Sequence, residues 1–304
     1  VDEIIKNADT AMYAAKKSGR NSFRLFEPAK AIDNGQQVKL ADDIKHIVSD
    51  KQIVLRLQPQ VNRDGMTLGA EALLRWNHPK LGLLAPDKFM ELAERRGVTA
   101  DINAYVLENA TRLLGAWQIE PETSGLRIAV NIGAEQLFDP ELPRSLRENL
   151  KRYAAPPQLL TLEFTEETIA KNRDEAMKAM ARLKTTGVRL SLDDFGTGYS
   201  SLAQLKDMPL SEIKIDGRFI RHMHDRPKDA ALVKTMLSMA ETLGLDAVAE
   251  HVETAAQEKF LLKHGCSLFQ GFLYSGAMTR SDFEESVRQA DARRDVPAPM
   301  ANVA

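Results

Sequence analysis

Apolar and polar positions change rhythm along this chain. In GVRLSLDDFGTGYS, residues 187–200, Val188, Leu190 and Leu192 alternate with Arg189, Ser191 and Asp193, the period of two that marks a strand. Two adjacent carboxylates close the run, and glycines follow at 196 and 198. Similar runs recur from residue 53 onward: IVLRLQPQ, LGAEALLRW, LRIAVNIG, LLTLEFTEE, VRLSLDDFG, SEIKIDG, DAVAEHVET and CSLFQGFLY. Helical spacing fills the gaps between them, as in DKFMELAERRG, INAYVLENATRLLGAW, RDEAMKAMARLKTTG and KDAALVKTMLSMAETLG. Strands alternating with helices predict an α/β fold with a mostly parallel sheet. Eight strands in about 230 residues match a (β/α)8 TIM-like barrel. The link Asn62-Arg63-Asp64-Gly65 between the first two is too short for a helical crossover, which predicts one antiparallel strand.

Upstream, Ile4, Ile5, Ala8, Met12 and Ala15 fall at helical spacing, Ser18-Gly19 forms a C-cap, and Ser22 to Phe26 reads as extended. One helix and one strand cannot bury a core, so residues 1–28 read as the remnant of a preceding domain. Residues 29–37 form a polar linker. Val38, Ala41, Ile44, Ile47 and Val48 then mark an amphipathic helix that opens the barrel domain at 38–288, with a flexible tail at 289–304. Because the chain begins at Val1, it reads as a piece of a longer protein whose other segments can include sensors or a membrane anchor.

Composition adds exclusions. A net charge of −2, with 28% charged residues, gives no electrostatic case for binding nucleic acid or an anionic membrane. No apolar run reaches the ~18 residues of a membrane span. The single cysteine, Cys266, rules out an internal disulfide and fits a reducing, cytoplasmic setting.

The chemistry gathers where the strands end, which in such a barrel is where active sites form. The terminal residues of the runs are Gln58, Glu71, Asn131, Glu163, Glu166, Asp193, Asp194, Lys214, Asp216, Glu250, Glu253 and Gln270, with Arg75 just beyond Glu71. In IKID, Lys214 and Asp216 share one strand face while Ile213 and Ile215 share the other, so the aliphatic face packs on helices and the polar face lines the mouth. A lone strand-end acid is commonly a helix cap. Converging acids instead repel one another and raise their pKa values unless cations compensate. Two Mg²⁺ or Mn²⁺ ions, which prefer oxygen ligands, solve that problem. No histidine or cysteine cluster offers a zinc site, and no Gly-rich nucleotide loop or Gly-x-Ser-x-Gly elbow is present. Asp193-Asp194 therefore reads as one arm of a two-metal site suited to phosphoester hydrolysis, with Lys214 to orient water and Arg75 to grip a phosphate oxygen. The glycine-flanked 194–201 loop reads as a gate.

These motifs resemble a known family. Glu71-Ala72-Leu73, continued by Leu74-Arg75, is similar to the signature of the EAL domain, the cyclic di-GMP phosphodiesterase. QPQ at 58–60, VNI at 130–132, EFTE at 163–166, DDFGTGYSSL at 193–202, KID at 214–216, EHVET at 250–254 and QG at 270–271 follow in the family's order. The leading NADTAMYAAKKSGRNSFRLF resembles the end of a GGDEF domain. The resemblance implies that Glu71, Asn131, Glu163 and Asp193 bind one metal, and that Asp193, Asp194 and Glu250 serve the second. It implies a catalytic set of Lys214, which holds the attacking water, Glu250, a metal ligand or general base, Glu71, and Glu253, which anchors the mobile loop. Gln58, Leu73, Arg75, Asp216 and Gln270 match substrate-side or supporting positions. The implied reaction opens cyclic di-GMP, a bacterial second messenger, to linear pGpG, in a homodimer formed near the mobile loop. The alternative is a receptor that binds the dinucleotide without cleaving it. The chain departs from the family pattern at Leu57 (usually tyrosine), Gly133 (serine), Glu167 (serine), Gly276-Ala277 (a basic residue and proline) and His251 (glycine). His251 lies nearest the chemistry.

Overall fold

The computed structural model describes residues 40–198 and 205–292. The helix–strand segment expected at 1–28, the linker at 29–37, part of the 194–201 loop and the chain beyond 292 lie outside the described residues. Nine strands appear among the described residues: β1 (Ile53–Asn62), β2 (Thr67–His78), β3 (Gly82–Leu84), β4 (Arg127–Asn131), β5 (Leu160–Thr165), β6 (Arg189–Phe195), β7 (Glu212–Ile215), β8 (Asp246–Ala249) and β9 (Leu268–Phe269). They run in the order β1-β9-β8-β7-β6-β5-β4-β2-β3, and β1 also pairs with β2, so all but β3 close into a barrel of eight. Each of the eight expected runs supplies one barrel strand.

The expected reversal is β1. It runs antiparallel to β2, from Ile53↔Trp76 to Val61↔Thr67, and also antiparallel to β9 at Val61↔Phe269, so reversing one strand makes two antiparallel seams. The hairpin turns within the predicted link. Asn62 Oδ1 accepts from the amides of Asp64 and Met66, both at 2.9 Å, and Gly65 takes φ +73°. The sequence reading did not include β3, a three-residue strand hydrogen-bonded antiparallel to the end of β2 outside the barrel. Three residues show no periodicity.

The helices are α1 (Met90–Arg96), α2 (Thr99–Trp117), α3 (Ala134–Leu137), α4 (Leu142–Arg152), α5 (Glu166–Ala170), α6 (Arg173–Lys184), α7 (Gly217–His222), α8 (Pro227–Leu243), α9 (Ala255–Lys263) and α10 (Arg280–Ala292). The last packs on α2, where Trp117 stacks on Phe283 at 5.4 Å and donates to Glu284 Oε1 at 2.8 Å. Residues 40–43 are helical, as the amphipathic pattern predicts, and bury Leu40 and Ala41.

Alternation sorts each strand. Leu162 and Phe164, Leu190 and Leu192, and Ile213 and Ile215 are buried in the apolar core, each stabilising the fold by about 1.5–3 kcal/mol. Their polar neighbours, among them Glu163, Ser191 and Lys214, are buried too, on the opposite face of each strand, within the barrel. No described helix is long and apolar enough to cross a membrane.

Candidate active site

Lys214 is the hub. Projecting from β7, its Nζ lies 2.8 Å from Glu250 Oε1, 3.0 Å from Glu163 Oε2, 3.3 Å from Glu71 Oε2 and 3.4 Å from Asp193 Oδ1. Four strand ends thus converge on one ammonium. Burial alone would lower the Lys214 pKa, but Asp193, Glu163, Glu250 and Glu71 together hold it well above the ordinary lysine value, so the group stays charged.

The acids respond unequally. Burial pushes Glu163 well above the carboxylate range against the pull of Lys214. Burial, with repulsion from Asp193 and Glu71 and against the attraction of Lys214, raises Glu250 to about 7. Glu71 is buried as well, yet Lys214 and hydrogen bonds from Gln270 and Asn131 hold it below its usual value. Those bonds are short: Gln270 Nε2 donates to Glu71 Oε2 at 2.6 Å and Asn131 Nδ2 to Glu71 Oε1 at 2.7 Å. Gln270 Nε2 also donates to Gln58 Oε1, at 3.2 Å, while Gln60 Nε2 holds Gln270 Oε1 at 3.1 Å. Gln60 had no role in the sequence reading. Its signal was available, since it shares a face of β1 with Gln58.

The adjacent acids now have a geometric answer. Neighbours in a regular strand point to opposite faces. Here the β6–β7 register shifts between Leu192 and Phe195, and Asp194 adopts φ +55°. This bulge brings Asp194 to the mouth beside Asp193, and ligand oxygens of Asp193, Asp194 and Glu250 lie within 4.8 Å of one another. Burial, Asp193 and a hydrogen bond with Asp216 raise Asp194 to about 6.

The residues fit hard divalent cations. Four carboxylates face one lysine, with Asp194 beside them, and among the described residues Glu163 Oε1 is buried with no hydrogen-bond partner, an acceptor that a cation would satisfy. The site opens into a cavity of about 340 Å³ lined by the acids Glu71, Asp193, Asp194 and Glu250, by Leu73 and Phe272, and by Gln58, Gln270 and His251.

Other predicted residues do not line the cavity. Asp216 caps α7, accepting from the Arg218 amide at 2.6 Å and pairing with the Arg218 guanidinium at 2.9 Å. Arg75 donates to the Leu74 carbonyl at 2.7 Å and does not line the cavity. Glu253 is exposed, with its own amide held by Gln257. Among the described residues, the carboxylate that grips the Asp194–Gly198 loop is Glu166: Oε1 accepts from Gly196 N at 3.0 Å and Oε2 from Gly198 N at 3.1 Å. Glu166 was visible in the sequence as a strand-end acid, but nothing there linked it to a loop thirty residues on.

A model of the EAL domain matches residues 41–277. The chain belongs to the EAL domain family. It is 41% identical over 286 residues to the bifunctional diguanylate cyclase/cyclic di-GMP phosphodiesterase MucR of Pseudomonas aeruginosa, covering 94% of this chain and 42% of that protein. It is 34% identical over 281 residues to the cyclic di-GMP phosphodiesterase PdeR of Escherichia coli, covering 92% and 42% respectively. The chain therefore spans about two fifths of the length of these curated relatives. Among solved structures, the c-di-GMP complex of the PaMucR phosphodiesterase superposes with a TM-score of 0.77 at 40% identity, over 81% of this chain and 99% of that one. In this EAL domain the signature Glu71 is the carboxylate held by Asn131, Gln270 and Lys214 together.

Proposed function

We propose that this EAL domain hydrolyses one phosphodiester of cyclic di-GMP to linear pGpG, with two Mg²⁺ or Mn²⁺ ions. The observation that carries the reading is the complete acid set around Lys214, in a chain whose relatives are named as cyclic di-GMP phosphodiesterases. Glu71, Asn131, Glu163, Asp193, Asp194 and Glu250 would hold the ions. When bound, such ions polarise the phosphate and lower the pKa of water.

The chain's own residues do the rest. Lys214 keeps four carboxylates from repelling one another apart and can orient a water by hydrogen bonding. Without metal, burial holds Glu250 at about 7; with ions bound it would be drawn down to the carboxylate form that ligates them. Gln270 donates to Glu71 and is itself held by Gln58 and Gln60, which fixes the Glu71 carboxylate. Leu73 offers an apolar wall to the substrate, and Glu253, Arg75 and Asp216 act from outside the cavity. The resemblance also supports a homodimer through the face near the 194–201 loop, which light scattering at high micromolar concentration tests; a strict monomer would count against it.

The deciding experiment incubates the protein with cyclic di-GMP and Mg²⁺ or Mn²⁺, with and without EDTA, and resolves products by chromatography. Metal-dependent pGpG, abolished by Asp193→Asn, is the expected result. Binding without product under both metals would sink the hydrolase reading and leave a receptor.

A further inference from the structure

We infer that His251 is a substrate-contacting residue of this site, its imidazole N–H donating to an acceptor atom of the bound cyclic dinucleotide. The inference rests on the phosphodiesterase reading and deepens it.

The backbone is the first observation. His251 adopts φ +54°, a left-handed conformation that glycine reaches freely and a residue with a β-carbon does not. Such strain persists only where the surroundings impose it. The second is the seat of the ring. A β-carbon on Gly217, at the start of α7, would lie 2.5 Å from both Cγ and Nδ1 of His251, so the imidazole packs directly on a bare backbone. The ring is therefore positioned rather than loose, although the residue is exposed.

The third observation is the inventory of donors. The cavity wall carries carboxylates and apolar groups, plus the side-chain donors Gln58, Gln270 and His251. Gln270 Nε2 donates both its protons, to Glu71 and Gln58, and Gln58 Nε2 donates one of its two to the Ser275 carbonyl at 3.2 Å, whereas among the described residues the His251 imidazole is bound to nothing. A cyclic dinucleotide brings phosphate and sugar oxygens to a wall crowded with acids, where an uncommitted donor is the group it needs.

Three variants test this through KM and kcat for cyclic di-GMP, with melting curves as the folding control. His251→Phe keeps a planar ring and removes the donor; KM should rise roughly tenfold, with kcat within about threefold of the parent. His251→Gln restores a donor and should recover at least half of that loss on a logarithmic scale. His251→Gly should lose affinity like the phenylalanine variant while melting no lower than the parent, because glycine relieves the backbone. Unchanged KM in all three, or a loss that glutamine does not recover, overturns the inference while parent turnover leaves the phosphodiesterase reading intact. A parent chain that neither binds nor cleaves cyclic di-GMP sinks that reading instead.

Discussion

Lys214 Nζ lies 3.0 Å from Glu163 Oε2, and the two side chains are 1% and 0% exposed. A buried pair of this kind is held in place by what each partner would suffer alone. Removing one leaves an uncompensated buried charge, at a cost of about 3–5 kcal/mol. Lys214→Met should therefore lower the melting temperature in EDTA by roughly 10 °C. Added Mg²⁺ should narrow that gap, since a divalent cation takes over the compensation. Hydrolysis should fall by about 10²-fold or more. Thermal unfolding by circular dichroism with and without Mg²⁺ checks it, and a gap of equal size in both would argue against cation binding by these acids.

Glu166 governs the loop that follows Asp194. Its two oxygens each accept one glycine amide, and glutamine, with a single acceptor oxygen, cannot satisfy both. Hydrogen bonds to a charged acceptor contribute about 1.5–3 kcal/mol. Glu166→Gln should speed amide exchange at Gly196 and Gly198 by roughly tenfold and lower kcat by a comparable factor. Exchange measured by NMR beside kinetics decides it, and a slower enzyme with an unaltered loop would move the cause elsewhere.

Proton and metal compete at the mouth. Glu250 is raised from 4.5 to about 7 and Asp194 from 3.8 to about 6, in each case chiefly by burial. A raised carboxylate gives the metal-free fold stability that is full below the unfolded pKa and lost as pH rises through the folded one. In EDTA, the protein should melt progressively lower between pH 5 and pH 8, and Glu250→Gln should flatten that slope. Mg²⁺ affinity should run the opposite way, rising between pH 6 and pH 7.5 as the ion displaces protons. Calorimetry in two buffers of different ionisation enthalpy counts the released protons; none released at pH 6 would refute the linkage.

Gly69 of β2 lies against the Arg127 backbone of β4. A β-carbon there would lie 2.5 Å from the Arg127 carbonyl oxygen, which is backbone and cannot turn aside. Gly69→Ala should force β2 away from β4 just below Glu71, destabilising the fold by about 1–3 kcal/mol. Because Ala70 and Glu71 follow on the same strand, hydrolysis should fall as well. A variant that melts and turns over like the parent would show that the seam yields without disturbing the site.

Much of this was legible along the chain. The alternation in SEIKIDG and LLTLEFTEE placed Lys214 and Glu163 on the polar faces of their strands, and the short Asn62–Gly65 link announced the reversed strand, because both are rules of local backbone geometry. Motif order named the family and its acids. Tertiary structure alone decided how those acids meet. The bulge that turns Asp194 toward Asp193 arises in the register between β6 and β7, and register belongs to two strands at once. The grip of Glu166 on Gly196 and Gly198, and the seating of His251 on Gly217, depend on which backbone amides and bare Cα atoms come within hydrogen-bonding or packing distance. Linear spacing carries no such distances; they exist only once the barrel has closed.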